Sequence, residues 1–238
     1  MSAAPMVSIS EVFGPVIQGE GPLIGRQTVF VRTGGCDSRC SWCDTPYAVL
    51  PEYAGTWVKL SPAQVVGRVR ALAAPPIWVT LSGGNPALQA GLGPTVDLLR
   101  EQGYRIAVET QATVAAHWFD RVDMLILSPK PPSSGQPFDW GGIDCALDSA
   151  GAAPPIALKV VVLDEADWLF ALDVHRRYPA LPFYVQSCNP TGAEQVATPD
   201  VLLDSYRALA ARVLASGDPA IMALPQLHAL AWGAERGR

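Results

Sequence analysis

The chain is poor in charge and histidine, carries an odd number of cysteines and contains no long apolar run. Charged residues make up only 16% and the net charge is −5. That excludes a nucleic-acid binder working by phosphate neutralisation, which needs a surplus of lysine and arginine. No stretch approaches the ~20 apolar residues that span a bilayer. The opening Met1-Ser-Ala-Ala-Pro5 lacks the basic segment and apolar core of a secretory leader, so a cytoplasmic location without a membrane partner is expected. Five cysteines cannot all pair, and a chain of this length needs no disulfide staples. In a reducing compartment the thiols are free for metal. No internal repeat is present.

Apolar runs and helix signals alternate along the rest. Residues 28–33, 77–82, 104–109, 122–128, 156–163, 183–187 and 220–224 are β-rich and read as buried strands. Ser61-Pro62-Ala-Gln64 is a capping box with proline at the first helical position. Thr198-Pro199 opens a last helix that Gly217 closes. Gly103 stops a helix beginning near Pro94, and Pro179 follows one starting around Asp164. Repeated strand–helix–strand units imply an α/β fold with a mostly parallel sheet and right-handed crossovers. About seven strands fall short of a closed eightfold barrel, so an open, partial (β/α) barrel is expected, as one domain over residues 1–238. Polar groups gather where such strands end: residues 32–43, 82–85, 109–111, 128–130 and 186–187. The Pro-, Gly- and Ser-rich stretch 131–155 reads as a long surface connection.

The densest chemistry is Cys36-Asp-Ser-Arg-Cys40-Ser-Trp-Cys43, directly after the first of these strands. Three thiolates on one short loop suit a [4Fe–4S] cluster, which is normally held by four cysteines. Three leave one iron open for a ligand, and open positions are where metal sites do catalysis. A structural zinc site wants four ligands, commonly as paired C-x2-C knuckles. The other candidates, Cys145, Cys188, His117, His175 and His228, do not repeat that spacing.

The C-x3-C-x2-C spacing with an aromatic before the last cysteine resembles the signature of radical S-adenosylmethionine (SAM) enzymes. In these the open iron chelates the methionine part of SAM, and an electron from the cluster releases a 5′-deoxyadenosyl radical. The wider stretch QGEGPLIGRQTVFVRTGGCDSRCSWCDT resembles the N-terminal segment of the 7-carboxy-7-deazaguanine synthase family, with a match over residues 9 to 47. That resemblance implies a radical SAM type partial barrel and the ring contraction of 6-carboxy-5,6,7,8-tetrahydropterin to 7-carboxy-7-deazaguanine with loss of ammonia. It implies Ile17, Gln18, Gly19, Arg32 and Ser82 at the pterin, with Arg32 on its carboxylate, where a planar guanidinium fork fits. It implies SAM contacts from Trp42, Cys43, Asp44, Gly84, Ser128, Pro129, Lys130, Gln186, Ser187, Cys188 and Asn189. Cys36, Cys40 and Cys43 would hold the cluster and Thr45 a Mg2+ ion, which takes few protein ligands. A flavodoxin or ferredoxin as electron donor and a homodimer also follow from the family.

One departure stands out. The second strand end reads Ser82-Gly-Gly-Asn85-Pro86 where radical SAM enzymes carry Gly-Gly-Glu-Pro, so an amide replaces an acid and leaves only an oxygen to accept from the SAM ammonium. Lys159, a charge in a buried strand, needs a partner and is expected to face the cavity. Gln226 and His228 either close the substrate pocket or pack a terminal strand. Two rivals share the cysteine loop. A glycyl-radical activase has no call for the QGEG turn, Arg32 and Thr45 together, and a structural zinc module would contain zinc without iron or sulfide.

Overall fold

The computed structural model describes residues 5–189, 197–233 and 235–237. Its strands form one nine-stranded sheet in the order β3-β1-β2-β4-β5-β6-β7-β8-β9. The strands are β1 (Val7–Ile17), β2 (Gln27–Thr33), β3 (Val58–Leu60), β4 (Trp78–Gly83), β5 (Arg105–Thr110), β6 (Met124–Leu127), β7 (Ile156–Val162), β8 (Phe183–Ser187) and β9 (Ile221–Leu224). From β2 to β9 every neighbouring pair is parallel. The seven strands expected from the sequence are these seven. The two additional ones, β1 and β3, are antiparallel and sit at one edge. Their signal is weak because β1 mixes polar residues with Gly14-Pro15, and β3 is only three residues long.

The helices are α1 (Pro46–Val49), α2 (Pro62–Leu72), α3 (Leu92–Glu101), α4 (Trp140–Ala150), α5 (Glu165–Arg177), α6 (Pro199–Ser216) and α7 (Leu227–Trp232). Their ends follow local chemistry. Ser61 Oγ accepts from Gln64 N while Gln64 Oε1 accepts from Ser61 N, the reciprocal cap read from the sequence. Asp164 and Thr198 cap α5 and α6, and Gly217 ends α6 in the left-handed region. The stretch 131–155 is not the bare connection expected. It contains a 3-10 turn, Pro132–Ser134, and all of α4, whose small, mixed residues hide its helical period.

Alternation along the strands divides the sheet into two chemistries. Val31, Leu81, Val108, Leu125, Leu127, Leu158, Val160 and Val185 belong to the main apolar core, with Val65 and Val69 of α2, Val96 and Leu99 of α3 and Val174 of α5. Each such side chain contributes about 1.5–3 kcal/mol on burial. The opposite face carries the polar positions. Arg32 is registered with Ser82, Lys159 with Tyr184, and Val161 with Gln186. Helices cover the first face, so ligands can approach only the second face and the strands' carboxyl ends.

Close backbone approach fixes one of those ends. Gly83 has φ +123°, and a Cβ at Gly84 would lie 1.9 Å from the Gly35 carbonyl oxygen. The contact lets β2–β4 pairing run on into the loops: Gly84 N donates to Thr33 O at 3.0 Å and Asn85 N to Gly35 O at 2.9 Å. Gly84→Ala is expected to cost about 1–3 kcal/mol, the usual cost of overpacking, measurable by urea denaturation. An unchanged midpoint would contradict the packing.

Candidate active site

The cysteine loop leaves β2 through Gly34 and Gly35 and is held from several sides. Gly35 N donates to Ala48 O of α1 at 2.8 Å. The 131–136 segment grips the far end: Ser41 N donates to Ser134 O at 3.0 Å, and Ser41 Oγ to Ser133 O at 2.8 Å. Arg39 and Gln136 exchange hydrogen bonds of 2.8 Å. Trp42 Nε1 donates to Ser133 Oγ at 2.9 Å, and that hydroxyl donates to Asp167 at 2.6 Å. Asp167 is fully buried and also accepts from the backbone of Ser133 and Leu163. A buried carboxylate thus orients the indole through one serine. Neither Ser133 nor Asp167 was recognisable as part of the site, because each acts only through a tertiary contact.

Cys36, Cys40 and Cys43 are free thiols, half-buried, and all three line one cavity. Burial pushes the Cys40 thiol up to about 11, with the neighbouring Cys43 and Cys36 adding to the effect against Lys130. Burial likewise raises Cys43, with Asp44 adding to it. Three thiolates this close are unfavourable without a compensating cation. The donor set therefore fits an iron–sulfur cluster, whose metal would supply the compensating charge.

That cavity encloses about 1030 Å³ of free space counting its open mouth. Ile17, Gln18, Gly19, Arg32, Trp42, Asp44, Thr45, Ser82, Gly84, Ser128 and Lys130 line it with the cysteines, joining the strand ends picked out in the sequence. Gln186, Cys188 and Asn189 line an adjoining recess with Trp42, Asp44 and Lys130. Pro129 and Ser187 lie on the same strand ends without contributing to either wall. Burial raises the Cys188 thiol to about 12, so it is a neutral wall residue. Arg32 sits among Phe13, Phe30 and Tyr47, and its Nε donates to Glu11 at 2.7 Å. Tyr47 OH donates to the same Glu11 oxygen at 2.9 Å. With Nε committed, the terminal guanidinium nitrogens are the ones left for an anion.

Asn85 does not play the part its position suggested. It is fully buried, and its Oδ1 already accepts from Ala87 N at 3.1 Å and Thr110 Oγ1 at 2.9 Å. No lone pair remains for an ammonium group.

Lys159 lines the adjoining recess, not the cysteine-lined cavity itself. It pairs with Glu20 of the β1–β2 turn and, at 2.6 Å, with Glu109 at the end of β5. Gln226 Nε2 donates to Glu20 at 3.1 Å, and His228 Nδ1 lies 3.9 Å from it. Leu227 N donates to Gly19 O at 3.1 Å. The C-terminal segment therefore closes the pocket wall. Burial alone would raise the Glu20 carboxyl, but Lys159 and His228 hold it well below its usual range. Burial opposes the Lys159 charge too, and Glu109 and Glu20 outweigh it. Gln186 is completely buried beside Glu20, whose charge it helps to hold, yet among the described residues neither atom of its amide makes a hydrogen bond of good geometry. Such a group, turned toward a polar recess, is suited to a ligand.

An open parallel sheet with three cysteines on the loop after its first parallel strand defines a radical SAM enzyme, and the Radical SAM superfamily model matches residues 30–126. Enzymes of this class work with a [4Fe–4S] cluster and SAM. The 7-carboxy-7-deazaguanine synthases of Bacillus subtilis and Bacillus cereus are 39% and 37% identical to this chain, each over 97% of it and 98% of the relative. The crystal structure of QueE from Escherichia coli superposes with a TM-score of 0.66 at 20% identity, covering 92% of this chain and 94% of that one, a likeness of fold. The chain belongs to the 7-carboxy-7-deazaguanine synthase family.

The buried ion triad has a pH signature. Glu20 is held below its ordinary value of 4.5, so its stabilising contribution is complete above 4.5 and is lost as pH falls through the depressed value. Lys159 is held above its ordinary value of 10.5, so its contribution is complete below 10.5 and is lost at higher pH. Lys159→Met should cost up to about 3–5 kcal/mol at pH 7, since it strands two part-buried carboxylates. The deficit should narrow as pH falls from 7 to 4, because burial without the Lys159 cation raises the stranded Glu20 and it takes up a proton. Denaturation at pH 7 and pH 4 reads both, and a deficit independent of pH would contradict the assignment.

Proposed function

We propose that the chain catalyses the reaction of its family, converting 6-carboxy-5,6,7,8-tetrahydropterin to 7-carboxy-7-deazaguanine with release of ammonia. The observation that carries this reading is the shared cavity. Its lining brings together three free thiols and a guanidinium that commits Nε to Glu11 and, among the described residues, leaves its terminal nitrogens free. When bound, the cluster and SAM would supply the radical chemistry that abstracts hydrogen from the carbon bearing the carboxylate and so permits ring contraction. The chain's own work is binding, orientation and exclusion of water.

In this reading Cys36, Cys40 and Cys43 hold the cluster. Trp42, Cys43, Asp44, Gly84, Ser128–Lys130 and Gln186–Asn189 form the SAM site. Arg32 grips the substrate carboxylate through its free nitrogens, and Ile17, Gln18, Gly19 and Ser82 bind the pterin. Thr45 would give its hydroxyl to Mg2+, an ion that takes few protein ligands and draws most of its oxygens from substrate and water. Glu20, Lys159, Gln226 and His228 close the pocket. Residues 1–238 act as one domain, as a cytoplasmic homodimer reduced by a flavodoxin or ferredoxin.

The test is an anaerobic incubation of reconstituted protein with SAM, Mg2+, a reductant and the carboxytetrahydropterin, followed by mass spectrometry. Carboxydeazaguanine is the expected product, and deoxyadenosine without it would overturn the substrate. Cys40→Ala should abolish turnover. Arg32→Lys keeps the charge but loses the fork, and should raise KM for the pterin about tenfold or more, with SAM affinity unchanged. Thr45→Ala should weaken the Mg2+ dependence, and an unaltered Mg2+ titration would remove that role.

A further inference from the structure

Gln111, just past β5, reaches across to the cysteine loop. Its Nε2 lies 3.2 Å from Cys36 Sγ and 2.7 Å from Asp37 Oδ1. A carboxylate only accepts, so the amide end facing Asp37 is the NH2 group, and its two hydrogens serve the oxygen and the sulfur together. The surrounding bonds leave no alternative direction. Asp37 also accepts from Asn85 Nδ2 at 3.0 Å and from Thr113 Oγ1 at 2.5 Å. Thr113, its proton given to Asp37, accepts from Asn85 Nδ2 at 3.2 Å. Asn85 Oδ1 is filled by Thr110 and Ala87, as described above. An acid at position 85 would set two carboxylates at hydrogen-bond distance with no donor between them. The amide at 85 and the acid at 37 therefore belong together.

The backbone is bent to make this possible. Ala112 is the only non-glycine with positive φ among the described residues, at 62°. Between Gln111 and Thr113, that left-handed step sends both side chains to Asp37, and such conformations persist where the surroundings hold them. Gly142 of α4 supplies the support, since a Cβ there would lie 2.2 Å from Ala112 O.

We propose that Gln111 is a positioning residue whose N–H···S bond to Cys36 raises the reduction potential of the cluster, with Asp37 and Asn85 holding it in place. Adding an electron to an iron–sulfur cluster increases negative charge on its sulfurs, so a fixed donor stabilises the reduced form. Ser38 N also donates to Cys36 Sγ, at 3.4 Å, but as a backbone group it is the same in every side-chain variant. Asp37 is exposed, so its own charge, which acts the other way, is screened by water.

The inference rests on Cys36 being a cluster ligand. Its test is a redox titration followed by electron paramagnetic resonance, on reconstituted wild type, Gln111→Leu and Gln111→Met without SAM or substrate. Both variants are expected to contain full iron and sulfide and to show a midpoint potential below that of the wild type. A loaded cluster at the wild-type potential in both would overturn the role. Failure of both to load would overturn it as well, by making Gln111 an element of assembly instead of tuning. Wild-type protein without iron or sulfide would overturn the cluster reading itself, a separate result.

Discussion

The site depends on two glycines meeting the backbone of the neighbouring strand. Gly83 and Gly84 lie so close to residues 33–36 that no side chain fits between them. The loops after β2 and β4 consequently continue the sheet's hydrogen bonding beyond the strands. The cysteines inherit the rigidity of the sheet despite lying on a loop. Arg32 and Ser82, registered with each other one step before the glycines, are held at fixed positions relative to them. The three thiols and the Arg32 guanidinium are thereby placed with the precision of strand pairing.

Charge is sparse over the chain but concentrated at this end of the sheet. Glu20, Lys159 and Glu109 join the β1–β2 turn to β5 and β7, and Gln226 and His228 bring in the C-terminal segment. Such a buried triad is weak evidence for stability in itself, because desolvation offsets the attraction. Its value is in fixing which segments meet. It ties residues 20, 109, 159, 226 and 228 together, and the buried Gln186 amide shares the recess with Glu20, Glu109, Lys159 and Gln226.

The parallel strands and the helix caps were legible because each depends on local pattern: β-rich runs, a capping box, a glycine after a helix. The strand-end polar residues were legible for a related reason, since a parallel α/β sheet exposes only its carboxyl ends to ligands. What escaped was tertiary. β1 and β3 pair at an edge with little apolar signal. The stretch 131–155 looked like a loop by composition, yet Ser133 and Asp167 orient Trp42 from it and from α5. Asn85 looked like a weakened SAM contact, and its amide is instead spent on Asp37 and Thr110. In each case the deciding partner lies tens of residues away, and no spacing rule reports it.

The central claim is that Cys36, Cys40 and Cys43 hold a [4Fe–4S] cluster with one iron open to SAM. The most direct measurement is the electron paramagnetic resonance spectrum of the reduced, reconstituted protein before and after SAM is added, with iron and sulfide quantified on the same sample. A reduced-cluster signal that shifts on adding SAM is the predicted result. Zinc in place of iron, or a cluster signal indifferent to saturating SAM, would contradict it.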